Sequence, residues 1–168
     1  MTTRIIQNLA LVIGCAAGLL GCQEHAWDDH YTVGGQETRT LMQIIDERPE
    51  LSRFAQVVRD NGMDGLLSFT VFAPDNDAME SFNLTNDTLE QFLYNHICRY
   101  TYTQGDVWDA EDASLRVKML NGKYQNLTGA NDGLVFGNDA VVKDVTGGAN
   151  GVLNTVNRIV PFYRNLYE

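Results

Sequence analysis

The hydrophobic pattern of this chain changes its period near Cys98, and that change limits the fold more than any other feature. Before it, apolar side chains recur at helical spacing. Leu41, Ile44 and Ile45 do so within residues 37–47, and Leu51, Phe54, Ala55, Val57 and Val58 follow Pro49, which a helix tolerates in its first turn. Asn61-Gly62 is a helix-stop signal, and Leu89, Phe92, Leu93 and His96 form one face of a further helix over 88–97. After Cys98 the period becomes two. Arg99 to Thr103 alternates, and Leu115, Val117 and Met119 alternate with Arg116 and Lys118. Helices followed by mostly antiparallel strands predict an α+β domain.

Punctuation between these runs supports the same order. Phe69-Thr70-Val71-Phe72-Ala73 reads as a buried strand stopped by Pro74, and Asp75, Asn76 or Asp77 can cap a short helix after it. Asn121-Gly122 signals a hairpin with Tyr124–Leu127 as its return strand, and Asn131-Asp132-Gly133 turns into Leu134-Val135-Phe136. Ala140–Val145 and Gly151–Val160 complete the strands, with the glycine-rich stretch 147–151 expected to be a mobile loop.

With 168 residues the chain has room for one domain plus an appendage. Its formal net charge of -10 argues against non-specific nucleic-acid binding, which Lys and Arg drive, and against docking on anionic lipid by charge alone.

Residues 1–22 read as an export address. Arg4 supplies the positive start, and the uncharged stretch from Ile5 to Gly21 is too short and broken for a transmembrane helix. Leu19-Leu20-Gly21-Cys22 resembles the lipobox of bacterial lipoproteins, which makes residues 1–21 a signal peptide and Cys22 a lipid-attachment site. Val12-Ile13-Gly14-Cys15 fits the pattern more loosely, and a plain secretory signal is the alternative. Only Cys98 then remains as a free thiol, so no intramolecular disulfide is expected and the core must hold the fold. Residues 22–36, closing in Gly34-Gly35, read as a tether, and 37–168 as a single domain. Gln23 after the cysteine favours the outer membrane by the sorting rule. The acids of Trp27-Asp28-Asp29-His30-Tyr31 resemble a surface-export signal of Bacteroidetes lipoproteins.

Three ordered segments resemble the fasciclin domain, a module of extracellular and surface proteins. They are Phe69-Thr70-Val71-Phe72-Ala73-Pro74-Asp75-Asn76-Asp77-Ala78-Met79, then Leu93-Tyr94-Asn95-His96-Ile97, then Asn150-Gly151-Val152-Leu153-Asn154-Thr155-Val156-Asn157-Arg158-Ile159-Val160-Pro161. Met119-Leu120-Asn121-Gly122 matches the hairpin between them, and the resemblance covers about residues 38–163. It implies N-terminal helices packed on an antiparallel β-sandwich or wedge. It also implies adhesion as the activity, with Tyr94 and His96 as the counterparts of a tyrosine–histidine segment tied to adhesion in animal relatives. The chain departs from the family in having Asn154 where a histidine is usual and Asn157 where an aspartate is usual. The lead 27–31 is similar to that of gut Bacteroidetes lipoproteins often encoded beside outer-membrane glycan uptake components.

Few residues suggest chemistry of their own. There is no G-x-S-x-G and no H-E-x-x-H, and His96 and Cys98 stand two apart, so on a helix they face different ways. His96 reads as a hydrogen-bonded inner residue and Cys98 as a small buried hydrophobe. A calcium loop at 75–77 lacks the glycine and distal glutamate it needs. A metal site at His25, Asp28, Asp29 and His30 is not favoured, and neither metal nor other cofactor is expected. Asp87-Thr88-Leu89 resembles a Bacteroidetes O-glycosylation motif, making Thr88 a candidate modification site or simply a helix cap. Tyr100, Tyr102, Trp108, Tyr124, Phe162, Tyr163 and Tyr167 gather in the strand-rich half and tail, where a surface cluster could stack on sugars or dock a protein. The expectation is a non-enzymatic lipoprotein of the outer membrane, surface-exposed or on the periplasmic face, that binds a protein or glycan partner. The alternatives are a spacer without a ligand, or a hydrolase using His96 with an acid from 106–112.

Overall fold

Thr40 opens the first helix because its side chain accepts from the Gln43 N–H while Gln43 reaches back to the Thr40 N–H, a reciprocal cap on α1 (Leu41–Asp46). These relations come from a computed structural model, which describes residues 37–81, 85–131 and 133–161. Residues 1–36, including Cys22, and 162–168 lie outside the described residues. Pro49 starts a 3-10 turn, Pro49–Leu51, that runs into α2 (Ser52–Asp60). Asn61 and left-handed Gly62 then close that helix, as their residue types predict. After β1 (Phe69–Pro74), Asp75 caps α3 (Asn76–Glu80) by accepting from the Ala78 N–H at 2.8 Å. Next come α4 (Asn86–His96) and α5 (Gln104–Trp108). The remaining strands are β2 (Ser114–Lys118), β3 (Tyr124–Ala130), β4 (Gly133–Phe136), β5 (Ala140–Gly148) and β6 (Gly151–Val156).

The six strands form one sheet in the order β1-β6-β5-β4-β3-β2. Four pairings are antiparallel, and β1–β6 is parallel, with Phe69 opposite Gly151 and Pro74 opposite Val156. β1 and β6 are buried on both faces, so neither alternates wet and dry along its length; Thr70, Asn154 and Thr155 are buried among their apolar residues. Alternation along them feeds two cores. Val71, Ala73 and Leu153 point to the helices, joining Leu41, Ile45, Phe54, Val58, Phe92 and Leu93. Phe72 and Val156 point the other way, to Val117, Met119, Leu127, Phe136 and Ala140. Phe72 and Phe136 stack there with ring centroids 3.8 Å apart.

Two expectations are corrected. Arg99–Thr103 is not a strand: Arg99 donates its N–H to Lys118 O at 3.0 Å, and the segment then enters α5 through a Thr103–Asp106 capping box. The 147–151 stretch is not a mobile loop. Gly147 and Gly148 belong to β5, pair with Val152 and Gly151, and leave Ala149-Asn150 as a tight turn. Gly148 lets α1 lie against the sheet, since a Cβ there would stand 2.7 Å from Leu41 Cδ2.

Asn150 ties this turn to its neighbours. Its Oδ1 accepts the Leu41 N–H at 2.8 Å, its Nδ2 donates to Leu67 O at 2.6 Å, and its own carbonyl accepts the Phe69 N–H at 2.9 Å. Gly151 beside it has φ +155, and a Cβ would sit 2.1 Å from the Phe69 carbonyl oxygen. Backbone rather than a flexible side chain blocks that space. Gly151→Ala is therefore expected to lower stability by about 3 kcal/mol, the upper end for overpacking. Gly65→Ala, where nothing lies within 4 Å, should change it by less than about 1 kcal/mol. Urea unfolding of both variants checks this, and equal losses would contradict it.

Candidate functional site

The last turn of α4 carries the tyrosine–histidine segment, and the structure makes it a junction. His96 is fully buried at 0% exposure. Its Nδ1–H donates to the Phe92 carbonyl at 2.8 Å, and Nε2 accepts the Val160 N–H at 3.2 Å. The ring packs on Phe92, 4.6 Å between centroids, and edge-on to Phe136 at 6.0 Å, so it bridges the two cores. Asn95, also buried, donates to Val160 O at 3.3 Å and accepts from Asn121 and Gln125 at 3.2 and 3.1 Å. Sequence reading passed over Asn95; a polar side chain inside an apolar helical face was the signal. Tyr94 is half-buried against the helical core, and the Glu90 carboxylate nearby pushes its hydroxyl pKa up. His96 reaches no surface, so any ligand contact by this segment falls to Tyr94. With both ring nitrogens engaged, His96 also has no free position from which to take a proton in catalysis. Cys98 is buried, its Sγ lies 3.7 Å from Met119 Sδ, and burial pushes its thiol pKa far up, so it is no thiolate nucleophile.

Two shallow hollows, of about 460 and 520 Å³, share Asp75, Asp77 and Lys143. Lys143 enters them through a bulge in β5: Val142 faces Val156 and Asp144 faces Thr155, leaving Lys143 as the extra residue, aimed at Asp75. The cations here are each spent on a carboxylate. Lys143 pairs with Asp75, Arg158 with Asp139 at 2.7 Å, and Arg48 with Asp144 at 2.7 Å. Asn76 accepts the Arg53 N–H at 3.1 Å and donates to Pro49 O at 2.9 Å. Asp75 and Asn76 thus cap and clamp helices. Among the described residues no group of three His, Cys, Asp or Glu gathers as a metal site.

The outer face of the β2–β3 hairpin is different. Arg116 lies over the Tyr124 ring, 4.7 Å from guanidinium carbon to centroid, and Lys118 Nζ approaches the same ring at 5.8 Å. Tyr102 accepts the Lys118 N–H at 3.2 Å, and Tyr100 meets Tyr102 edge-on at 6.4 Å. Tyr100 is 55% exposed and Tyr124 49%. Of the expected aromatics the structure thus pairs Tyr100 with Tyr102, which packs on the second core, and sets Tyr124 beneath the cations of the hairpin. Trp108 packs instead over Gly129, and Phe162, Tyr163 and Tyr167 lie outside the described residues.

Thr88 is half-buried at the third position of α4, with Thr85 as the cap. Its hydroxyl accepts the Thr85 N–H at 3.0 Å and donates to Thr85 O at 3.0 Å, so a sugar there would compete with the capping box. No described helix is long and apolar enough to cross a membrane.

The sequence model of the fasciclin domain matches residues 49–161, and the chain belongs to that family. The domain is one associated with cell adhesion, and such domains are generally non-enzymatic. Among solved structures, the fold is similar to a FAS1 domain pair from the insect cell adhesion molecule fasciclin I. The likeness is at 24% identity and a TM-score of 0.54, covering 68% of this chain and 46% of that one. This chain thus spans about half that domain pair. No curated protein matches the chain at a significant level.

Burial pushes the His96 pKa from 6.5 down to about 4, against a weaker opposing pull from the Phe92 carbonyl. The unfolded ring takes its proton at the ordinary value. His96 therefore contributes fully above about pH 6.5, and its contribution is lost as pH falls towards about 4, a difference of about 3 kcal/mol. In denaturant titrations His96→Gln should be less stable at neutral pH, and its stability should decline less steeply across that window. Parallel profiles for wild type and variant would refute the assignment.

Proposed function

We propose that this chain is an outer-membrane lipoprotein, anchored through Cys22 and exposed at the cell surface, whose fasciclin domain works by binding a protein or glycan partner. It acts as an accessory to an outer-membrane glycan uptake or attachment system of the Bacteroidetes type. The observation that carries the binding reading is the commitment of His96. The imidazole that could have served as a base is sealed in the core with both nitrogens bonded to backbone, while Tyr124 stands exposed on the β2–β3 face beneath Arg116 and Lys118. The domain offers surface rather than a reactive group. The lipobox, the residue after it and the acidic lead support the location, since lipid attachment at two or more chains holds a soluble domain firmly.

Labelling intact cells with a membrane-impermeant biotin reagent tests the location. Wild type should be labelled and Cys22→Ala should not, with the variant recovered in soluble fractions. Unlabelled wild type at normal expression would move the domain to the periplasmic face, and unlipidated protein in the cytosol would sink the proposal.

A further inference from the structure

Six of the ten described cations of this acidic chain pair with carboxylates, and Arg99 donates to the Leu120 carbonyl at 3.1 Å. Arg39, Arg48, Arg53, Arg59, Lys143 and Arg158 each hold a carboxylate. Arg116 and Lys118 hold none among the described residues; both lie on the ring of Tyr124. Strand geometry sets this arrangement. Arg116 and Lys118 are two apart on β2, so they share a face about 7 Å apart, and Lys118 stands directly opposite Tyr124. Ser114, opposite Thr128, and Asn126, opposite Arg116, complete that face with hydroxyl and amide groups. No Asp or Glu lies on either strand.

We propose that this face binds an anionic polysaccharide, a sugar chain bearing carboxylate or sulfate groups. The proposal deepens the binding reading above and rests on it. A guanidinium resting on a ring keeps its N–H edge open for two-pronged bonding to a carboxylate or sulfate, and the ammonium two residues on takes a second acid as a point charge. Tyr124 offers exposed ring surface to sugar, and the Ser, Thr and Asn groups suit hydroxyls. The chain's overall charge does not forbid this. At physiological ionic strength charges beyond about 8 Å are largely screened, so the local pair decides. An acidic protein partner would want an apolar anchor at its centre. The apolar residues of this side, Val135 and half-exposed Val141, stand opposite each other on β4 and β5, clear of the Tyr124 ring.

Detergent-solubilised full chain is passed over immobilised polygalacturonate, dextran sulfate, neutral dextran and poly-glutamate. Retention on one or both anionic polysaccharides, weakened by added salt, is expected. The Arg116→Ser, Lys118→Ser double variant should bind at least about tenfold more weakly. Arg53→Ser, whose cation is already paired with Glu80, and Val141→Ser should bind as wild type. Circular dichroism checks that the exposed substitutions leave the fold intact, and Arg116→Gln alone, should the double variant unfold, must still weaken retention. Retention on neither anionic polysaccharide, or equal retention on neutral dextran, overturns the proposal. Equal or stronger retention on poly-glutamate also overturns it, in favour of an acidic peptide. These outcomes do not depend on where the protein resides, so failure here and failure of the surface labelling are distinguishable.

Discussion

The parallel pairing of β1 with β6 is the contact on which the rest of the fold depends. Parallel strands cannot be joined by a tight turn. Here the connection comprises α3, α4, α5 and the whole antiparallel meander, so the two family segments at 69–79 and 150–161 meet only when everything between them is in place. The pair also divides the interior, because successive side chains of one strand feed opposite cores. Asn150 and Gly151 set its register. Gly151 admits the Phe69 backbone at a distance no Cβ would allow, and Asn150 bonds the start of α1, the loop before β1 and β1 itself. Phe69 sits at φ +66, a conformation costly for an aromatic residue, and those bonds explain why it persists.

The α4 terminus makes the second long-range tie. A helix normally leaves polar ends to water, but this one ends between the two cores. Asn95 and His96 between them satisfy both the carbonyl and the N–H of Val160, and Asn95 reaches across to the 121–125 hairpin. Buried polar groups joined in this way specify a unique arrangement at the cost of pH sensitivity, because protonating the imidazole would oppose the bond from Val160. The tyrosine–histidine segment therefore combines a half-buried tyrosine with a histidine whose work is internal. Its family association with adhesion does not reduce to direct contact by His96.

Much of this was legible in the residues. The helical and alternating periods placed α1, α2, α4 and β2 through β6, because each has one buried and one wet face or a clear turn beside it. Asn61-Gly62 and Asn121-Gly122 served as punctuation, with Gly62 and Gly122 both at positive φ. What escaped depends on contacts distant in sequence. Arg99–Thr103 alternates like a strand, yet the Thr70 hydroxyl donates to the Tyr102 carbonyl and accepts the Tyr102 N–H, and the run becomes a strap against the edge strand β1. Its successor α5 was signalled only by the Thr103–Asp106 box, which is easily outvoted by neighbouring β-formers. The glycine-rich turn read as mobile because glycine frees an isolated chain, whereas here α1 and Phe69 fill the space its missing side chains leave. Asn95 showed only as a polar break in an apolar helical face and Asn150 only as part of a turn, since their partners are brought near only by the fold.

The placement of charge completes the account. An acidic chain could scatter its few cations to relieve repulsion, and on the helical side and around Asp75 it does so, each paired with a carboxylate that it neutralises. Exposed pairs of that kind add little stability, so their main effect is to leave those surfaces without unspent positive charge. The β2–β3 face breaks the rule. An aromatic ring holds its two cations where a carboxylate could have done so, and a ring leaves their charge available to a partner while fixing their position. Holding a charge without cancelling it does nothing for the core, and is what recognition of an anion requires.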